Sequence, residues 1–221
     1  MAEINFYNID CIELMKTKPD NHYDLAIVDP PYGIGASNYQ RGGTRYGNSA
    51  AICKTYTKKD WDNEPPSKEY FDELFRVSKN QIIWGANHFI SRMPYDSSCW
   101  IVWDKMTAPG SGYADCELAW TSFDKAVRQF RIQWSGMLQY NMKEKEERIH
   151  PTQKPIPLYG KILQKFAEQG MKILDTHGGS MTIAIACDKL NFDLDVCEID
   201  EEYFNNGKKK FNEHKCKPTL F

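Results

Sequence analysis

The chain of 221 residues has no Cys-x-x-Cys pair, and its seven cysteines are scattered and odd in number. That pattern suggests neither a disulfide framework nor a zinc site. No apolar run reaches membrane-spanning length, and Glu3 and Asn5 near the start are unlike a signal peptide. There is no surplus of positive charge. The formal net charge is −2, so a nucleic-acid role needs a local basic surface. The G-x-G-x-x-G spacing of a diphosphate cradle is missing, which argues against NAD or FAD. Nor is there an internal repeat or a linker. These absences leave a reduced, cytoplasmic, soluble protein with no membrane partner and length for one substantial core.

What is present is an alternation of strands and helices. Ile4–Tyr7 and Tyr23–Val28 read as strands, with Asp10 capping a helix over "CIELMK" between them. "PPSKEYFDELFRVS" reads as a helix capped by Ser67, followed by strands at "QIIWG", "CWIVWDK" and "ELAWTSF". Val127–Trp134 is a further strand candidate, and "MKEKEER" reads as a solvated charge run. Pro157–Gln169 patterns as a helix closed by Gly170. The strand "MKILD", the turn "THGGSMT", the helix "IAIACDKL", the strand "FDLDVCEID" and a charged helix complete the chain. The alternation predicts a single α/β domain over residues 1–221 with a mostly parallel sheet.

Two corners carry chemistry. In "YDLAIVDPPYGIG" a buried strand runs into Asp29, and Pro30-Pro31 must end it because proline donates nothing to a ladder. In "KILDTHGGSMTIAIA" a strand ending at Asp175 meets Gly178-Gly179 and then a helix, the kind of corner where a nucleotide-like ligand approaches the backbone. About twenty residues on, such a fold places an acid that bonds ribose hydroxyls, and Glu198 stands there. Each corner alone also reads as a plain turn.

Asp29-Pro30-Pro31-Tyr32 is similar to the catalytic tetrapeptide of S-adenosylmethionine-dependent DNA methyltransferases acting on exocyclic amines. "HPTQKP" (His150 to Pro155) and "ILDTHGGSMTIAIA" look like that family's cofactor motifs, and "INFYNIDCIELMK" resembles its opening strand. The catalytic motif precedes the glycine motif, the order of the permuted β group. The match spans nearly the whole chain except roughly residues 36–65 and 124–149. It implies a doubly wound, mostly parallel, seven-stranded Rossmann-like sheet with an antiparallel strand. The family's glycine motif usually reads Asp-Pro-Phe-x-Gly-Ser-Gly-Thr. This chain carries Thr176, His177 and Met181 where proline, phenylalanine and the second glycine stand.

The resemblance implies roles. Asp29 and the Pro30 carbonyl each accept one N–H of an adenine amine, turning its lone pair towards the sulfonium methyl of S-adenosylmethionine. The leaving group is neutral and good, so no metal is required. Pro31 locks the corner, and Tyr32 offers a face to a base flipped out of double-stranded DNA. Asp10, Cys11, Thr152, Lys154, Asp175, His177, Gly178, Gly179, Ser180, Thr182 and Glu198 fall at cofactor-binding positions, with Lys154 able to meet the methionine carboxylate. Asp10, Ser180 and Thr182 read equally as helix caps, and Trp84 as core or pocket wall. Residues 36–60 are expected to be a mobile basic loop, with Arg41, Arg45, Lys54, Lys58 and Lys59 against Asp60, that clamps DNA. Arg128 and Arg131 are a second candidate contact, in a small target-recognition insert over 124–149. A dimer would pool two DNA surfaces. Asp29 favours adenine-N6 over cytosine-N4, where the first motif residue is typically serine. RNA or protein-glutamine amide methyltransferases generally place the cofactor motif first. A catalytically silent DNA-binding protein is the reading from another class.

Overall fold

The computed structural model describes residues 1–38, 56–107, 114–135 and 138–216. Arg41, Arg45 and Lys54 lie outside them. In chain order the elements are β1 (Ile4–Tyr7), α1 (Cys11–Lys16), β2 (Tyr23–Val28), α2 (Lys68–Val77), β3 (Ser78–Trp84), β4 (Trp100–Asp104), β5 (Cys116–Thr121), β6 (Arg128–Arg131), β7 (Trp134–Ser135), β8 (Leu138–Gln139), α3 (Ile156–Phe166), β9 (Lys172–Asp175), α4 (Thr182–Leu190), β10 (Asp193–Cys197) and α5 (Glu201–Lys215).

The main sheet has the order β1-β10-β9-β2-β3-β5-β4-β6, and β7 and β8 form a separate ribbon. Among the described strands of the main sheet, only β5 runs against its neighbours. The expected antiparallel strand is therefore present, within eight strands rather than seven, because Arg128–Arg131 pairs with β4 as an edge strand. Alternation along the strands sorts the core into two layers. Leu25, Ile27, Ile82 and Trp84 pack on the side of α3 and α4. Ala26, Val28 and Ile83 face Met15 of α1 and Tyr70, Phe71 and Leu74 of α2. α3 stops at Phe166, short of Gln169, because Ala167 turns extended (φ −107°, ψ 149°), and Gly170 (φ +89°) serves the turn that follows. No helix among the described residues is long and apolar enough to cross a membrane.

From β2 the chain proceeds to β3 on one side, while β9 leads to β10 on the other. The gap between β2 and β9 is thus the switch point, where open α/β sheets receive ligands beyond their carboxyl ends. Four strands around it are tied by one acid. Asp195 of β10 is fully buried, accepts from Tyr23 Oη (2.8 Å) and Asn5 Nδ2 (3.1 Å), and pairs with Lys172 Nζ at 3.3 Å. Burial pushes its carboxyl up, but these donors outweigh burial and hold it below the ordinary value. A carboxylate depressed in the folded state stabilises it above the unfolded pKa, and the contribution is lost as pH falls through the folded one. Asp195→Ala should cost about 3–5 kcal/mol at neutral pH, read from urea unfolding. Its deficit against the parent should shrink as pH drops below about 4.

Candidate active site

Asp29 stands directly after β2, where Pro30 and Pro31 end the ladder. The chain beyond is gathered by a second acid. Asp62, itself buried, accepts the backbone N–H groups of Tyr32 (2.6 Å), Gly33 (2.9 Å) and Ala36 (2.6 Å). A carboxylate accepting three amides holds a tight turn that proline alone does not define. Tyr32 is thereby laid over the end of β3. Its ring stacks on His88 with centroids 5.1 Å apart and 15° between planes, and a Cβ at Gly85 would fall 2.0 Å from it. Only glycine allows that approach. The Tyr32 hydroxyl donates to Asp29 Oδ1 at 2.7 Å.

Asp29 Oδ2 meets Lys154 Nζ at 2.5 Å. The lysine is 3% exposed, lies over the Trp84 ring at 5.0 Å, and pairs also with Glu117 Oε2 at 3.2 Å. Glu117 in turn pairs with Lys105. Charges of alternating sign thus run from the end of β2 to the end of β4. Burial pushes Glu117 up, but Lys154 and Lys105 overcome it and pull the carboxyl down to about 2. Burial likewise disfavours the Lys154 ammonium, and Asp29 with Glu117 reverses that, holding it above its usual value. Asp29 is shifted up by burial, against the pull of Lys154.

The glycine corner follows β9. Gly178 N donates to Cys197 O at 2.8 Å, and Gly179 N to Glu198 Oε2 at 2.8 Å, fixing the acid at the end of β10 beside the turn. Glu198 Oε1 accepts from Asp200 N at 2.9 Å, and burial pushes its carboxyl up. A Cβ on Gly178 would meet Met181 Sδ at 2.5 Å. Thr176 links Tyr70 Oη (2.8 Å) to His177 Nδ1 (2.8 Å), and burial pulls the imidazole down to about 4, leaving it neutral at pH 7. Asp175 lies beneath, accepting from His177 N at 3.0 Å. Burial, with Asp29 and Glu198 nearby, pushes Asp175 up to about 8 against that amide and the Lys154 cation.

Both corners open on one cavity of about 270 Å³, close to the ~300 Å³ at which small-molecule sites begin. Of the residues singled out from sequence, the tetrapeptide Asp29–Tyr32, Thr152, Lys154, His177, Gly178, Gly179, Ser180, Thr182 and Glu198 line it. Asp10, Cys11 and Asp175 are not part of its wall. Asp10 caps α1 through Ile12 N at 2.7 Å, and the Thr182 hydroxyl donates to Lys154 O at 3.0 Å.

The basic residues are less concerted. Lys59 is bound by Asp200 (2.6 Å) and Glu202 (2.9 Å), so its charge is neutralised within the chain, while Lys58 is exposed. Arg128 and Arg131 sit at opposite ends of β6, and Arg131 pairs with Asp104 at 3.0 Å. Alternation also points them to opposite sheet faces, so they do not form one contact patch. Sequence reasoning missed Asp62, Gly85, His88, Lys105 and Glu117. The aspartate in "DWDNEPP" and the glycine in "WGANHF" were the available signals, and neither names its partner.

A family model described as DNA methylase, of the N6/N4 type, matches residues 81–209, more than half of the chain. That span holds Glu117, Lys154 and the glycine corner, with Asp29 ahead of it. Type II methyltransferase M2.MboI of Moraxella bovis is 25% identical over 258 residues, covering 98% of this chain and 89% of its own. Type II methyltransferase M.HpaI of Haemophilus parainfluenzae is 24% identical over 243 residues, covering 92% and 72%. Among solved structures, the M1.HpyAVI–SAM complex shares the fold with TM-score 0.57, 20% identity and coverage of 95% and 99%. The cytosine-N4-specific PvuII DNA methyltransferase does so at 0.62, 12% identity and coverage of 96% and 87%. This sheet, with the family's match over most of it, places the chain in the N6/N4 DNA methylase family.

Proposed function

We propose that the chain transfers the methyl group of S-adenosylmethionine to N6 of an adenine flipped out of double-stranded DNA. The observation that carries this is a single cavity walled by both Asp29 and the Gly178-Gly179 corner. The residues present fit the donor. Glu198 is held by two amides with lone pairs to spare for ribose hydroxyls, exposed Ile199 beside it offers an apolar surface, and Ser180 and Thr152 supply polar groups. Asp10, which caps α1, Cys11, its first residue, and Asp175, under the corner, lie outside this wall.

When bound, the donor supplies an electrophilic methyl on cationic sulfur. The chain's own residues do the rest. Asp29 and the Pro30 carbonyl take the two amine N–H groups and direct the nitrogen lone pair, a contribution of positioning and electrostatics. Tyr32, anchored on His88 and Gly85, presents its remaining surface to the base. His150 is half-buried beside Trp61 and Tyr203, with ring centroids at 5.2 and 4.3 Å. Burial, and Lys154 second, pull it down to about 3, so it walls the cavity as a neutral ring. We read residues 36–60 and 124–149 as the DNA-facing parts of a single catalytic domain working in the cytoplasm. Arg41, Arg45, Lys54 and Lys58 are the proposed phosphate contacts in that reading.

Aspartate at the head of the tetrapeptide favours adenine over cytosine. Incubating unmethylated DNA with labelled donor and analysing nucleosides by mass spectrometry should yield N6-methyladenine. N4-methylcytosine would move the assignment to the other base, and no product with no donor binding would leave a silent DNA-binding protein. Asp29→Ala should lower transfer at least about a hundredfold while calorimetric donor affinity stays close to the parent's. Glu198→Gln should do the converse: a donor Kd raised about tenfold or more, with near-parental single-turnover rate at saturating donor.

A further inference from the structure

Nothing about the sequence motif or the family match explains why a buried ammonium sits on the acid that is meant to receive the substrate amine. Lys154 Nζ lies 2.5 Å from Asp29 Oδ2, 3.2 Å from Glu117 Oε2 and 3.3 Å from the Tyr32 hydroxyl. Its backbone is fixed as well, the carbonyl being held by Thr182. A lysine so placed has its three donors taken by these three oxygens, so none is left over for a ligand carboxylate. Asp29 is then unequal at its two oxygens. Oδ2 carries a buried ion pair, whereas Oδ1 carries a neutral hydroxyl at the end of a tyrosine ring.

We propose that Lys154 is a positioning residue for methyl transfer: clamped between Asp29 and Glu117, it fixes Oδ2 and leaves Oδ1 as the oxygen that exchanges the Tyr32 hydroxyl for the substrate amine. This rests on the methyltransferase reading above, and it replaces the cofactor-carboxylate role that the resemblance implies for Lys154. Breaking a hydrogen bond to a neutral hydroxyl costs less than breaking a buried ion pair, so the order of exchange follows from the geometry. The charged and titratable groups facing Asp29 are Lys154 from the segment before α3, Glu117 from β5, Asp175 from β9, Tyr159 from α3 and its own neighbour Tyr32. Lys105 stands behind Glu117, and His150 behind Lys154.

The test is single-turnover methylation of DNA across pH, with donor Kd by calorimetry, for the parent and for Lys154→Met, Lys154→Arg and Glu117→Gln. A parent that transfers no methyl group refutes the function itself, and the variants are read only against an active parent. Lys154→Met should lose about a hundredfold in rate at neutral pH. Its acid limb should move up by about one pH unit, since Asp29 loses its cation. Donor Kd should stay within about threefold, under 1 kcal/mol. Lys154→Arg should restore part of the rate. Glu117→Gln should move the limb the other way, downwards, because a like charge near Asp29 is gone. Donor affinity falling in step with rate at an unmoved limb would make Lys154 a cofactor ligand and overturn the proposal. Should Lys154→Met fail to fold, Glu117→Gln decides: a lowered limb supports the clamp, and an unmoved or raised one overturns it.

Discussion

The site depends on the side-by-side pairing of β2 and β9. Leu25 lies opposite Ile173 and Ala26 opposite Leu174, in parallel, across a stretch of chain of nearly 150 residues. Because the two strands run the same way, Asp29 and the Asp175–Gly179 turn leave the sheet at one edge. Because their onward connections diverge, no helix among the described residues fills the space between them. A one-residue slip in this register would turn Leu25 and Ile27 towards α1 and α2 and empty the opposite layer. The hydrophobic sorting of the two faces therefore also sets the distance between the two functional corners.

Within that frame, the electrostatics solve a local problem. A carboxylate at a buried strand end is pushed towards its neutral form, in which it no longer offers two acceptor oxygens. Asp29 has a buried cation in contact, which favours its charged form. The cation is kept charged by a second carboxylate, and that one by Lys105 at the surface end of the chain of charges. Each buried charge has an opposite neighbour, the condition under which such groups are tolerated inside a protein. Asp175, with one amide donor and two carboxylates nearby, is the contrast. Burial and these neighbours push it up to about 8, favouring its neutral form under the turn.

The legible part of the site is the part coded locally. A proline pair after a β-branched run, a glycine pair between strand and helix, and an acid at the end of the next strand each show in a few adjacent letters. So do the caps at Asp10 and Ser67. What escaped is coded at a distance. Glu117 reaches Lys154 only because β5 runs antiparallel between β3 and β4, which brings its first residues to the carboxyl edge of the sheet. Asp62 returns to Tyr32 from thirty residues on, and Lys59 finds Asp200 across most of the chain. Lys59 counted as free basic charge in the sequence because charge tallies do not see partners. The arginines of β6 were a second candidate for DNA contact, but the sequence does not show that Arg131 is paired with Asp104.

The altered glycine motif has a structural account of the same long-range kind. Met181 stands where the family usually has glycine, and its φ of +54° shows that the backbone there still adopts the left-handed shape glycine favours. For a side chain that conformation costs about 1–2 kcal/mol. Met181 is fully buried, wedged between Gly178 and Gly207 of α5, where a Cβ on the latter would fall 2.4 Å from its Cγ. Burying the thioether returns a similar amount, about 1.5–3 kcal/mol. Gly207, in the helix that packs on the turn, leaves the space that the Met181 side chain fills. Gly179, which meets Glu198 through its N–H, keeps its own place. The departure therefore changes what lies beneath the corner and leaves the cavity side of the turn as it is.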